Sequence, residues 1–155
     1  MEIRKKVDAI LGTTLSVIMG IMVINVLWQV FTRFVIGTPS SFTDELARYL
    51  MIWVGVLGAA YISGKRMHVA IDLIPQKLSE ANQVKLKVFV NTLVILFCFG
   101  ALIIGGIRLV YITYSLEQYS AALQIPLALV YLVIPISGAL IIFYKVSDII
   151  NKQLL

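Results

Sequence analysis

Four apolar runs, each about as long as a lipid bilayer is thick, constrain this chain more than any other feature. They extend roughly from Ala9 to Thr32, Leu46 to Ser63, Val88 to Ile107 and Pro126 to Tyr144. Crossing about 30 Å of hydrocarbon takes about 20 helical residues. In lipid, every backbone N–H and C=O must find its partner within the protein, so such runs cross as helices. The runs lack the inside/outside alternation that barrel strands need. The sequence therefore predicts an all-α membrane protein, a single transmembrane domain over residues 1–155 with four helices. Composition agrees, with 60% hydrophobic and 14% charged residues, against about 45–50% and about 25% in a soluble domain.

Placement of the charges gives an orientation. The formal net charge is +5. The basic residues form no groove or stripe of the kind nucleic acid requires, so nucleic-acid binding is set aside. They sit instead in short segments between the apolar runs. Arg4, Lys5 and Lys6 precede the first; Lys65, Arg66, Lys77, Lys85 and Lys87 separate the second from the third; Lys145 and Lys152 follow the fourth. The other two connections hold almost no positive charge, with Arg33, Arg48 and Arg108 at helix ends beside them. Basic loops stay in the cytoplasm, which places both termini there. The N-terminal apolar run exceeds the 7–15 residues or so of a signal-peptide core, so it reads as an uncleaved first helix. Tyr111, Tyr114 and Tyr119 then mark the outer headgroup level and Tyr144 the inner one. The stretch from Arg66 to Lys87 mixes apolar and charged residues around Pro75. It reads as an interfacial, partly helical segment on the cytoplasmic surface.

The polar residues are informative by position. The centres of the four runs lack Asp, Glu, Lys and Arg. A charge at the bilayer centre costs about 2.5–3.5 kcal/mol on insertion scales and is kept mainly for function. Asn25, Gln29 and Asn91 are the mid-depth polar residues, suited to hydrogen bonds between helices. Charge gathers at the start of the second helix. Ser41 and Asp44 have capping-box spacing. Asp44 and Glu45 stand four and three residues before Arg48, within reach along one face. With Arg33 across a short loop containing Gly37 and Pro39, these residues are expected to form a periplasmic cluster. Either simple capping with a solvated ion pair or a docking surface satisfies that pattern. Gly55, Ala59 and Ser63 make a small-residue stripe, as do Ala101 and Gly105. Such stripes let helices approach closely.

Catalytic chemistry finds no footing. His68 and Asp72 can pair on a helical turn, but no nucleophile with a base and an orienting acid accompanies them. Cys98 is the one cysteine, so an intramolecular disulfide is impossible and a buried apolar role is expected. No Cys/His cluster suggests a metal, and no cofactor is expected.

The run Ser41-Phe42-Thr43-Asp44-Glu45-Leu46-Ala47-Arg48-Tyr49-Leu50, then Trp53, Leu57-Gly58-Ala59-Ala60 and Lys65-Arg66-Met67-His68-Val69-Ala70-Ile71-Asp72 resembles the small membrane subunit of TRAP transporters. These are tripartite ATP-independent periplasmic transporters. Trp28-Gln29-Val30-Phe31-Thr32-Arg33-Phe34 is similar to the end of that family's first helix, and Ile125-Pro126, Tyr131 and Ile134-Pro135 to its fourth. Phe42 stands where the family usually has Trp, and Asp44 where it often has Glu.

The resemblance implies a non-catalytic subunit in a bacterial inner membrane. Its partners would be a large multi-span permease subunit, a periplasmic substrate-binding protein and membrane lipid. Sodium coupling and the transport path would reside in the large subunit, and the cargo would be an organic acid, a carboxylate such as a dicarboxylate or a sialic acid. Arg33, Phe42, Asp44, Glu45, Arg48, Gly55, Gly58, Ala59, Arg66, His68 and Asp72 are the expected structural and partner-facing residues. Asp44, Glu45 and Glu117 are expected to dock the binding protein. The competing reading is a self-sufficient four-helix carrier of the small multidrug type, which requires a membrane-buried acid.

Overall fold

The computed structural model describes residues 2–38, 40–65 and 80–150. Among them are four helices long and apolar enough to cross a membrane: Glu2–Ile36, Ser41–Lys65, Asn82–Ser115 and Leu127–Ile150, here the first to fourth spans. The all-α expectation holds. The described residues form no strand, only one isolated bridge between Tyr119 and Pro126.

Each helix is longer than its apolar run, because charged residues at a span's end do not stop the backbone. The first begins at Glu2, so Arg4, Lys5, Lys6 and Asp8 stand on helical turns rather than on a tail. It closes with a wider π-helical turn at Thr32–Ile36, and Gly37 ends it at φ +80°. Glycine reaches that left-handed conformation without penalty. Lys85 and Lys87, expected on a surface stretch, stand on the helix Glu80–Phe97 that leads into the third span. The rest of that stretch, residues 66–79, lies outside the described residues. Arg108 is corrected too. The helix Gly106–Ser115 carries it about two turns inside the end of the third span. Its side chain is exposed, and a long arginine stem can carry the charge toward the headgroups.

The four spans stand in a row. The first packs on the second, the second on the fourth, and the fourth on the third. Leu11, Ile18, Leu57, Val133 and Tyr144 form one core cluster, joining the first, second and fourth spans. Ala60, Cys98 and Ile141 form another, joining the second, third and fourth. Cys98 is buried there as expected.

Close approaches fall at glycines other than those expected. A Cβ at Gly106 would lie 2.9 Å from Pro135 Cδ, and one at Gly138 would lie 2.7 Å from Leu102 Cβ. These two positions fix the third span against the fourth. Gly64 does the same between the second and fourth, where a Cβ would meet the Tyr144 ring at 2.7 Å. Gly55 and Gly58 have nothing within 4 Å of a Cβ. Gly55 and Ala59 are exposed, as are Ala101 and Gly105, while Ser63 is buried. The stripe at Gly55 and Ala59 therefore faces away from the chain's own helices.

The third span is π-helical from Cys98 to Gly105. The extra residue per turn re-phases the helix face, and Gly106 beyond it is buried against Pro135. Pro135 lacks an N–H, which frees a carbonyl one turn earlier. The fourth span is correspondingly interrupted between the short helix Leu127–Tyr131 and Val133–Ile150. Beside that interruption, Trp53 Nε1 of the second span donates to the Val130 carbonyl at 3.1 Å.

Candidate functional site

Polar side chains collect at the two ends of the spans. The end that holds the short loops is organised by Glu45. Its carboxylate accepts the backbone N–H of Ala121 at 3.1 Å, of Ala122 at 2.7 Å and of Leu123 at 3.1 Å. The Tyr49 hydroxyl donates to it at 2.8 Å, and Ser120 adds a further side-chain hydrogen bond. Successive N–H groups in a turn form a concavity suited to an anion. Here the second span fills that concavity with its own carboxylate.

The loop has the shape this requires. Ser120 N–H donates to the Ile125 carbonyl at 2.9 Å and Leu127 N–H to Gln118 at 2.9 Å, so its two sides are pinned together. Glu117 and Gln124 take positive φ, 47° and 56°, to turn the chain at each side. Glu45 thus ties the connection between the third and fourth spans to the start of the second.

The first span joins the same end by amide side chains. Asn25, expected at mid-depth, is buried against the first turn of the second span, where its Nδ2 donates to the Thr43 carbonyl at 2.7 Å. Gln29 Nε2 donates to Asp44 Oδ1 at 3.2 Å. Asn25 and Gln29 therefore act as links between helices. Asp44 also receives Arg48 at 3.4 Å, an exposed i,i+4 pair. Exposed pairs of this kind contribute about 0.3–0.5 kcal/mol.

The expected cluster of four charged residues does not assemble as drawn. Asp44 and Arg48 pair, but Glu45 turns away from Arg48 toward the loop. Arg33 lies over the Phe34 ring, 6.0 Å from its centroid, with no ion pair among the described residues. The capping-box spacing also resolves differently: Asp44 N–H and Thr43 Oγ1 both go to the Ser40 carbonyl, at 3.4 and 2.9 Å. Phe42 is 49% exposed, and Glu117 is exposed. Arg66, His68 and Asp72 lie outside the described residues.

The opposite end, which holds both termini, carries a network that the sequence did not reveal. Arg4 Nη1 donates to Asp148 at 2.6 Å and Nη2 to the Gly64 carbonyl at 2.5 Å. The Tyr144 hydroxyl donates to Asp8 at 2.5 Å. Lys65 stands 3.8 Å from the same carboxylate, and the Arg4 guanidinium lies 5.4 Å from the centre of the Tyr144 ring. First, second and fourth spans are thereby joined through side chains. Tyr144, expected at the inner headgroup level, is instead 0% exposed. Lys145 and Asp148 are buried beside it. The only early signal was the presence of Asp8 and Asp148 in segments otherwise read as basic.

Asp8, Asp44, Glu45 and Asp148 serve as hydrogen-bond acceptors at the two ends. Among the described residues no three His, Cys, Asp or Glu side chains are grouped to hold a metal.

Comparison with known proteins decides the family. A family model described as tripartite ATP-independent periplasmic transporters, DctQ component, matches residues 22–154. The chain belongs to the DctQ family. It is a TRAP transporter small permease subunit, part of a secondary transporter and not an enzyme, and its family implies a large permease partner. The four spans make it a multi-pass membrane protein.

Three relatives are informative about the DctQ-type chain. It is 28% identical over 134 residues to a chain of Haemophilus influenzae named as a TRAP transporter small permease protein, covering 86% of this chain and 81% of that one. It is 25% identical over 154 residues to the sialic acid TRAP transporter small permease protein SiaQ of Vibrio cholerae, covering 96% and 84%. It is 33% identical over 112 residues to the sialic acid TRAP transporter permease protein SiaT of Haemophilus influenzae, covering 70% of this chain but 17% of that much longer one.

Proposed function

We propose that this small permease subunit braces the large subunit of a sodium-coupled, binding-protein-dependent transporter of organic acids. The cargo class is a carboxylate, such as a dicarboxylate or a sialic acid. Its setting is a bacterial inner membrane, with both termini in the cytoplasm. The open row of helices carries this reading. The first and third spans stand at opposite ends of the row, so the spans do not close around a central path. The Asn25 amide is consumed by the Thr43 carbonyl. A solute path and its sodium sites then belong to the partner chain.

The exposed faces suit that partner. Met51, Gly55, Ala59 and Ile62 lie on one exposed stripe of the second span. Its small residues permit close approach by a helix from another chain. Orientation rests on Arg4, Lys5, Lys6, Lys65 and Lys145 at the termini-bearing end, where positive-inside bias places the cytoplasm. The loop end then faces the periplasm. Phe42, Asp44, Arg48 and Glu117 are exposed there for contact with a binding protein. Glu45 serves that contact by holding the loop in shape. Gly58, Arg66, His68 and Asp72 complete the structural and partner-facing set.

The test is uptake into proteoliposomes under an imposed sodium gradient. This chain alone, the large subunit alone, and both with the binding protein are compared. The expected result is uptake only with the full set. Uptake by this chain alone would overturn the bracing role and revive a self-sufficient carrier. Uptake by the full set without dependence on sodium would remove the coupling.

A further inference from the structure

A groove of about 860 Å³ runs between the first and second spans on the termini-bearing half of the molecule. The exposed Lys5 and Lys65, with Asp8, form its charged rim at the termini-bearing end, and Gly12, Thr13, Leu15, Ser16 and Val17 line it over the following turns of the first span. Twelve residues separate Lys5 from Val17, about 18 Å of helix. That distance covers a lipid headgroup and the upper part of an acyl chain.

The cations at the rim have capacity to spare. Lys5 is exposed and makes no ion pair among the described residues. The Lys65 side chain is 42% exposed and stands 3.8 Å from Asp8, beyond hydrogen-bond distance. Asp8 already accepts the Tyr144 hydroxyl. An ammonium group carries three donors, and the Lys65 group lies 5.4 Å from the centre of the Tyr61 ring, at the groove's edge.

Ser16 Oγ donates to the Gly12 carbonyl at 2.9 Å, which satisfies its proton within its own helix. Gly12 lines the groove beside Tyr61, whose ring would lie in ordinary contact, 3.5 Å from a Cβ there. A small aqueous anion would engage the lysines and leave the stretch from Gly12 to Val17 empty. Basic pockets between membrane helices suit anionic headgroups.

We propose that this groove binds one anionic phospholipid, with its phosphate between Lys5 and Lys65 and one acyl chain along Gly12, Ser16 and Val17. The site serves to seal the first span against the second at the membrane surface.

The test is native mass spectrometry of the full chain in complex with its large subunit. Phosphatidylglycerol and phosphatidylcholine of equal acyl length are titrated in turn, and inorganic phosphate serves as competitor. Each lysine is expected to contribute about five-fold in affinity. K5Q/K65Q should therefore lose about 30-fold for phosphatidylglycerol, and K5Q alone about five-fold. K6Q, on the same turn but outside the groove, should keep its affinity. S16F, which sets a bulky ring in the groove's lining, should weaken both lipids. The K5Q single variant removes an exposed, unpaired side chain, so it reports on binding even where the double variant folds poorly.

Equal affinity of the unaltered complex for the two lipids would overturn the proposal. So would a loss in K6Q as large as that in K5Q, which would indicate diffuse surface charge. Full displacement by inorganic phosphate would make the site one for a free anion. Failure of either lipid to bind, with the groove covered by the large subunit, would assign it to a helix of that partner.

Discussion

Replacement of Gly64 by alanine probes the tightest contact between the second and fourth spans. The new Cβ would lie 2.7 Å from two carbons of the Tyr144 ring and 3.0 Å from a third. Carbon atoms in good contact stand about 3.5–4.0 Å apart, so the ring must move by about 1 Å. A free tyrosine would swing aside. Tyr144 is fully buried, its hydroxyl is held by Asp8 at 2.5 Å, and Arg4 covers its face while bonding the Gly64 carbonyl. Overpacking of a filled core costs about 1–3 kcal/mol, and loss of a hydrogen bond to a charged group about 1.5–3 kcal/mol. Alanine regains about 1 kcal/mol over glycine in a helix interior. The net expectation is a loss of about 2–4 kcal/mol. The assay is reversible unfolding in mixed micelles, arranged as a double-mutant cycle with Tyr144→Ala. Removal of the ring relieves the overlap, so in the Tyr144→Ala background Gly64→Ala should cost nothing and return the helix gain of about 1 kcal/mol. Strict additivity of the two changes would refute the reasoning, as would a loss under about 0.5 kcal/mol in the single variant.

Glu45→Gln should raise amide hydrogen exchange at residues 121–123 while Asp44→Asn leaves it unchanged, because Glu45 and not Asp44 accepts those N–H groups; equal exchange in both variants would dismiss the clamp. Gly138→Ala should destabilise the isolated subunit by about 1–3 kcal/mol through its overlap with Leu102. Gly55→Ala should change that stability by less than about 0.5 kcal/mol, since no neighbour lies within 4 Å, and a bulkier Gly55→Leu should reduce co-purification with the large subunit if the stripe faces it. Asn25→Leu should cost about 0.6 kcal/mol, the average for a hydrogen bond between membrane helices, measured by the same unfolding assay; a gain in stability would show that the Thr43 contact contributes nothing.

The spans were legible because an apolar run of about 20 residues has few other fates. Their ends were not. Hydropathy falls at Arg4 and at Lys145, yet the helical backbone continues through both. Glu45 shows the limit of spacing arguments. Its position three residues before Arg48 is real, but apart from Tyr49 on the next turn, its backbone donors lie 76 to 78 residues away in a loop that no local pattern announces. Tyr144 illustrates the same difficulty at the other end. A tyrosine at a span's end commonly sits among headgroups, but here Asp8, 136 residues distant, draws its hydroxyl inward. Small-residue spacing found a stripe on the second span, while the contacts within the chain use Gly64, Gly106 and Gly138. Spacing marks where a backbone can be approached and leaves open what approaches it. The family motif, by contrast, was legible from a few dozen residues, since Asp44, Glu45 and Arg48 keep their order whatever each side chain touches.

The row order bears on how the chain enters the membrane. Helices emerge from the ribosome as first, second, third and fourth, but the third rests on the fourth. Until the fourth is made, the third has released its apolar surface to lipid with its main partner still unsynthesised. The first two can pair at once across their short loop. Biogenesis is therefore expected to have two stages, an early hairpin and a late insertion that wedges the last helix between its predecessors. Truncated nascent chains that stop before Leu127 would leave the third helix free to associate with other membrane proteins, and quality-control proteases would meet it in that state.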